Sequence, residues 1–253
     1  MIEAVLFDFG GTLVDQGIFL SSARDSAIKA ILKFYNRQKD LLPELSEQHH
    51  KISKEVWIKH QKTSPRLKER KAREEIFYRL IAQIGEVPQP EAIKEAFHGL
   101  VEGAVNSNCI YPNTPIVLNT LRDRYHLAIV SNGSAAYTWD YLKHNGLLSF
   151  FSVKIISEQV GLEKPDPKIF WRALERLKVD PSKAIMVGNM LWEDILGARN
   201  AGIRSIWINN NEPQRKVTVH PDFEITEIGE VIGVIAESEN LPPPCFQQRA
   251  KRI

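Results

Sequence analysis

Cysteine is nearly absent: Cys109 and Cys245 are the only two in 253 residues. They stand far apart with no C-x-x-C spacing, which argues against a disulfide framework or a thiolate metal site and suits a reducing, cytoplasmic setting. Long apolar runs are missing too, and none approaches the roughly 20 residues needed to span a bilayer. The first apolar run lacks a basic leader and is broken by Glu3 and Asp8, so no signal peptide is expected. Charge of one sign is also scarce. With 33 Lys and Arg against 31 Asp and Glu, the net charge of +2 gives no footprint for nucleic-acid binding. No internal repeat is visible. What remains is an ordinary globular composition, 43% hydrophobic and 25% charged, long enough for one large domain or a core with an insert.

The richest segment is the first. Ala4-Val5-Leu6-Phe7 delivers Asp8 into Phe9-Gly10-Gly11-Thr12-Leu13-Val14-Asp15. A carboxylate at the carboxyl end of a buried strand, in the crevice of an α/β sheet, can attack phosphorus or carbon and form a covalent intermediate. Gly11 permits the sharp turn, and the Thr12 hydroxyl can bond back to the carboxylate or to the turn.

Two architectures are interleaved. Beyond residue 110, strand-like runs at Leu127–Val130, Val153–Ile156, Ala184–Val187, Ser205–Ile208 and, more weakly, Phe223–Ile225 alternate with helices. Thr114-Pro115, Asp166-Pro167 and Asp180-Pro181 each set a capping side chain before a proline at a helix start. The pattern predicts a Rossmann-like parallel sheet with helices on both faces, to which Ala4–Phe9 adds a strand. The stretch from 16 to 108 reads as helix only. Its apolar positions Ile28, Ile31, Leu32, Tyr35, Val56, Ile76, Phe77, Leu80, Ile81 and Ile84 predict an inserted all-helical lid or cap. The expected organisation is thus a core of 1–15 and 109–240, a helical cap of 16–108, and an extended or frayed tail of 241–253.

Polar residues recur where apolar runs end. Ser131-Asn132-Gly133-Ser134 precedes a helix start at Ala135 and offers small donors and backbone N–H groups for an oxyanion or a phosphate. Lys164, fixed by Pro165, can neutralise an attacking carboxylate and a transferring phosphoryl group. Asp8, Asn189 and Asp194 with a backbone carbonyl form an oxygen set suited to Mg²⁺. Between Lys59 and Arg73, the residues Lys62, Arg66, Lys68, Arg70 and Lys71 face one acid, Glu69, an excess that is either a solvated face or a guide for anions.

These signals, in this order, resemble the haloacid dehalogenase superfamily over essentially the whole chain. The resemblance implies Asp8 as nucleophile and Ser131 as the phosphate-binding hydroxyl. It also implies Lys164 as the partner lysine, Gly188 to Asp194 as the acidic metal motif, and a C1-type cap closing over a small phosphorylated substrate. Gly11, Thr12, Asn132 and Gly133 join the phosphate-binding set, and the Gly10 backbone carbonyl joins Asp8, Asn189 and Asp194 around Mg²⁺. The segment Ile156 to Gly161, running into Lys164-Pro165, is similar to nucleotidase-like and sugar-phosphatase-like members.

Two positions depart from that pattern. The family's phosphatases usually carry a general acid/base aspartate where this chain has Gly10, and the first metal-motif acid is Asn189. Loss of a positioned acid/base costs a factor of about 10² to 10⁴ in rate. Three readings stay open: a Mg²⁺-dependent phosphatase that tolerates Gly10, a degenerate module that binds a phosphorylated ligand, and a metal-free 2-haloacid hydrolase. For the last, Arg37 is the halide-binding candidate. Specificity is expected from Gln16, Gly17 and Phe19 and from cap residues facing the core.

Overall fold

A computed structural model describes residues 1–211 and 213–238. Six parallel strands form one sheet in the order β3-β2-β1-β4-β5-β6. They are β1 (Ala4–Phe7), β2 (His126–Ser131), β3 (Val153–Ile156), β4 (Ala184–Gly188), β5 (Arg204–Ile208) and β6 (Phe223–Ile225). Alternation along each strand divides the side chains between two apolar layers. Val5, Phe7, Leu127, Ile129, Ile185, Val187, Ile206 and Ile208 enter one layer. Ala4, Leu6, Ala128, Val130, Ile155 and Met186 enter the other. Both faces are therefore covered, which is why the inner strands β1, β2 and β4 read as near-continuous apolar runs, whereas Lys154 interrupts β3 and Glu224 interrupts β6 at the edges.

Helix α8 (Pro167–Leu177) and α9 (Leu196–Ala201) cover the second face through Ile169, Phe170, Ala173 and Ala198. The first face carries α5 (Thr114–Leu121), α6 (Ala135–His144) and α10 (Val231–Ser238). Its apolar layer continues into α1 (Gln16–Phe34), α2 (Leu42–His60), α3 (Pro65–Gln83) and α4 (Pro90–Val105). Those four helices hold the stretch expected to be helical. Ile28, Ile31, Leu32, Val56, Ile76, Phe77, Leu80 and Ile81 are buried there, with Tyr35 and Ile84 packed against them.

The short helix α7 (Ser157–Val160) follows β3 directly. Asp166 caps α8, its side chain accepting from Lys168 N. Two other helix starts differ from expectation. Asp180 caps only a single 3₁₀ turn, Pro181–Lys183, because the chain enters β4 immediately afterwards. Thr114 is not a cap: Asn113 precedes α5, and the buried Thr114 hydroxyl donates to Leu13 O at 2.8 Å, pinning the helix to the loop after β1. The expected tail 241–253, with Cys245, lies outside the described residues. Among the described residues no helix is long and apolar enough to cross a membrane.

Candidate active site

After β1 the chain passes to β2 on one side and later returns to β4 on the other, so the strand order reverses beside β1. A crevice opens at such a point beyond the carboxyl ends of the strands. Asp8 sits there, its N–H donating to Val187 O at 3.0 Å. Lys164 Nζ lies 2.6 Å from Asp8 Oδ1 and 2.6 Å from Asp194 Oδ1. The lysine and Asp194 side chains are fully buried, whereas Asp8 keeps 10% of its side chain exposed. Among the described residues no hydrogen bond reaches the second Asp8 oxygen.

Electrostatics follow from this crowding. Burial works against the Lys164 ammonium, but Asp194, Asp8 and Glu193 outweigh it and hold its pKa above the ordinary lysine range. Burial pushes the Asp194 carboxyl up to about 7 against the pull of Lys164. Glu193 is raised as well, chiefly by burial. Three carboxyl groups around one ammonium leave a site that favours further positive charge.

The loop after β2 holds the lysine. Asn132 Oδ1 accepts from Lys164 N at 2.8 Å, and Asn132 Nδ2 donates to Lys164 O and to Glu193 Oε2, both at 3.0 Å. The Asn132 side chain, expected on phosphate, is thus spent on positioning Lys164. Gly133 N–H, also expected there, donates to Ser157 Oγ at 3.0 Å. The start of α6 is closed in the same way. Ala135 N and Ser134 Oγ both donate to Glu158 Oε2, at 2.7 and 3.0 Å. Ser131, at the end of β2, is buried, and among the described residues no side-chain hydrogen bond engages its hydroxyl.

Asn189 and Asp194 come from the turn after β4, where a π-helical turn, Leu191–Ile195, precedes α9. Close approach explains the glycines here. A Cβ on Gly11 would stand 2.2 Å from Asn189 Nδ2, and one on Gly188 would stand 2.3 Å from Asp194 Cγ. Gly11 also has φ +76°, the left-handed region that favours glycine. Thr12 is fully buried, and its hydroxyl donates to Asn189 Oδ1 at 3.4 Å rather than to Asp8 or the turn. Trp207 Nε1 and Gln214 Nε2 both donate to Asn189 O. Asp194 Oδ2 accepts from Met190 N at 2.9 Å, so both Asp194 oxygens already have protein donors.

No cluster of three or more His, Cys, Asp and Glu forms a metal site among the described residues. Oxygen donors at this point are the Asp8 carboxylate, the Gly10 carbonyl and Asn189 Oδ1, which also accepts from Thr12, beside an excess of carboxyl groups. Hard oxygen donors of mixed charge fit Mg²⁺.

The chain matches the family described as haloacid dehalogenase-like hydrolase over residues 2–202. It belongs to that family. Among curated relatives it is 33% identical over 244 residues to a glyceraldehyde 3-phosphate phosphatase of Methanopyrus kandleri, covering 94% of this chain and 98% of the relative. A solved 2-haloacid dehalogenase of Pseudomonas syringae aligns with a TM-score of 0.70 at 28% identity, covering 94% of this chain and all of that one. The HAD-hydrolase YfnB of Bacillus subtilis shares the fold, with a TM-score of 0.72 at 20% identity over 92% of this chain and 98% of its own.

Within this haloacid dehalogenase-like hydrolase the other expected residues separate. Gln16 lies against Gly10. Phe19 is instead a core residue, 5.3 Å centroid to centroid from both Phe9 and Tyr141. Arg37 pairs with Glu86 at 2.5 Å on an exposed part of the helical segment, outside the site. The basic stretch is partly neutralised: Lys59 and His60 meet Glu75, Arg73 meets Glu69, and Lys68 meets Glu163 close to Lys164. Sequence reasoning missed Glu193, although its place beside Asp194 was a signal. Gln214 and Asn210, whose side chain reaches Gly11 O at 3.2 Å, lie in a loop without periodicity and gave none.

Proposed function

We propose that the chain is a Mg²⁺-dependent phosphatase of small phosphorylated metabolites, acting through an aspartyl-phosphate on Asp8. The observation that carries this reading is the Asp8 carboxylate, held by Lys164 through one oxygen while the other is left free at the crevice. The free oxygen attacks phosphorus as the bond to the leaving oxygen breaks; water then releases phosphate from Asp8. Lys164 neutralises the carboxylate and the transferring phosphoryl group, and the Ser131 hydroxyl donates to a phosphoryl oxygen. When bound at Asp8, the Gly10 carbonyl and Asn189, Mg²⁺ supplies charge neutralisation for the phosphoryl oxygens. Asp194 contributes charge and orients the lysine. The helices between residues 16 and 108 act as the cap that excludes water and selects the leaving group.

Support for the substrate class comes from the Methanopyrus relative, named a glyceraldehyde 3-phosphate phosphatase. The YfnB structure is described as bound to magnesium. Neutral Asn189 weakens metal affinity relative to an aspartate. Hydrolysis of 4-nitrophenyl phosphate tests the proposal. The native chain is expected to turn it over only with Mg²⁺ and Asp8→Asn not at all; phosphate binding without turnover over a panel of monoesters would make the chain a binding module. Metal-free dehalogenation is a second reading, favoured by the neutral Gly10 and Asn189. Chloride release from a 2-haloacid without Mg²⁺ would establish it.

A further inference from the structure

Gln16 occupies the space beside the missing acid. It is the first residue of α1, and its backbone is fixed because Asp15 Oδ1 accepts from Ile18 N at 2.9 Å. A Cβ built on Gly10 would lie 3.2 Å from Gln16 Cδ, 3.3 Å from Cγ and 3.5 Å from Oε1. Any side chain projecting from position 10 would thus run into this carboxamide. Gln16 is itself only partly buried, and among the described residues its carboxamide makes no hydrogen bond. The side-chain amide of Asn132, by contrast, is committed to Lys164 and Glu193, whereas both polar ends of Gln16 are available. A carboxamide can donate and accept but cannot exchange a proton at neutral pH.

We propose that Gln16 stands in for the absent acid/base by hydrogen bonding alone, an inference that rests on the phosphatase reading. In the first half-reaction Gln16 Nε2 donates to the leaving oxygen. The Asp8–phosphorus bond forms, the bond to the leaving oxygen breaks, and the proton on the substrate's monoanionic phosphoryl group moves to that oxygen, giving the alcohol. In the second half-reaction Gln16 Oε1 accepts from the attacking water and orients it. Water oxygen bonds to phosphorus, the bond to Asp8 breaks with its electron pair returning to the carboxylate, and the water proton passes to a phosphoryl oxygen, releasing dihydrogen phosphate. Because no side chain supplies the proton, the rate depends steeply on the leaving group. The preferred substrate class is a phosphate ester whose leaving oxygen is stabilised without an acid.

A double-mutant cycle with two aryl phosphates of similar shape tests this. Gln16→Met preserves length and removes both polar ends. Gly10 has no left-handed φ, so aspartate fits its backbone once the flexible Gln16 end shifts by a few tenths of an ångström. In the native background, Gln16→Met is expected to lower the rate on phenyl phosphate by about ten- to hundredfold and the rate on 4-nitrophenyl phosphate much less. In the Gly10→Asp background the same change should cost little, because the carboxyl group now serves the leaving oxygen. Equal losses on both substrates, or equal losses in both backgrounds, would show that Gln16 merely packs there and would overturn the inference while leaving the phosphatase intact. No turnover of either ester by the native chain or by Gly10→Asp would instead remove the phosphatase reading itself.

Discussion

Lys164 concentrates the electrostatics of the site on one buried ammonium shared by Asp8 and Asp194. Its replacement leaves two buried carboxylates without their counter-charge, a loss that typically costs about 3–5 kcal/mol. Lys164→Met is therefore expected to lower the urea midpoint strongly in metal-free buffer as well as to abolish turnover; an unchanged midpoint would show that the cluster relaxes or takes up protons instead. Asp8, Lys164 and Asp194 were legible in the sequence because each punctuates the end of an apolar run or a structured loop. The roles of Thr12, Asn132 and Gly133 were not. Their hydrogen-bonding capacity is evident from residue type, but which partner uses it depends on chain segments that meet only in the fold: Asn189 for Thr12, Lys164 and Glu193 for Asn132, Ser157 for Gly133.

Helix α4 meets α1 along a seam of small residues, and the seam sets how closely the two can lie. A Cβ on Gly103 would stand 2.3 Å from the Ser22 backbone oxygen, which cannot rotate away. Gly103→Ala is expected to destabilise the fold by about 1–3 kcal/mol. In α10, a Cβ on Gly233 would meet nothing within 4 Å, so Gly233→Ala is expected to stabilise by about 0.5–1 kcal/mol. Opposite shifts in the thermal midpoint would confirm both; equal shifts would show that packing is not what separates the two glycines. Strands were the most legible elements, since burial on both faces writes the inner ones as apolar runs, while the edge strand Phe223–Ile225 gave the weaker signal. Helix starts were less so. Thr114 before a proline has the composition of a cap, yet its hydroxyl is taken by Leu13 O. The seam itself was invisible, because Gly99, where a Cβ would stand 2.6 Å from the Ser26 backbone oxygen, and Gly103 mark close approach only once the partner helix is known.

One apolar layer joins the sheet to helices α1–α4, so the molecule's acid stability is coupled to groups inside the helical segment. His49 on α2 is the clearest of these. Burial, then Arg73 and Arg24, and His50, lower its pKa from 6.5 to about 4, with Asp25 opposing. Between those values the unfolded chain binds a proton that the folded one refuses, so the contribution is full above pH 6.5 and is lost as pH falls towards 4. Up to about 3 kcal/mol is at stake. His49→Gln should flatten the fall of the urea midpoint across that window; an unchanged slope would assign acid sensitivity to other groups. Lys68, bonded to Glu163 at 3.0 Å, links α3 to the loop that carries Lys164 and so ties the helical segment to the chemistry. That chemistry is the central claim, and peptide mapping of acid-quenched protein, taken during turnover of 4-nitrophenyl phosphate with Mg²⁺, tests it most directly. One phosphoryl group on the peptide bearing Asp8, absent in Asp8→Asn, is the predicted result; steady turnover with Asp8 never phosphorylated would contradict it.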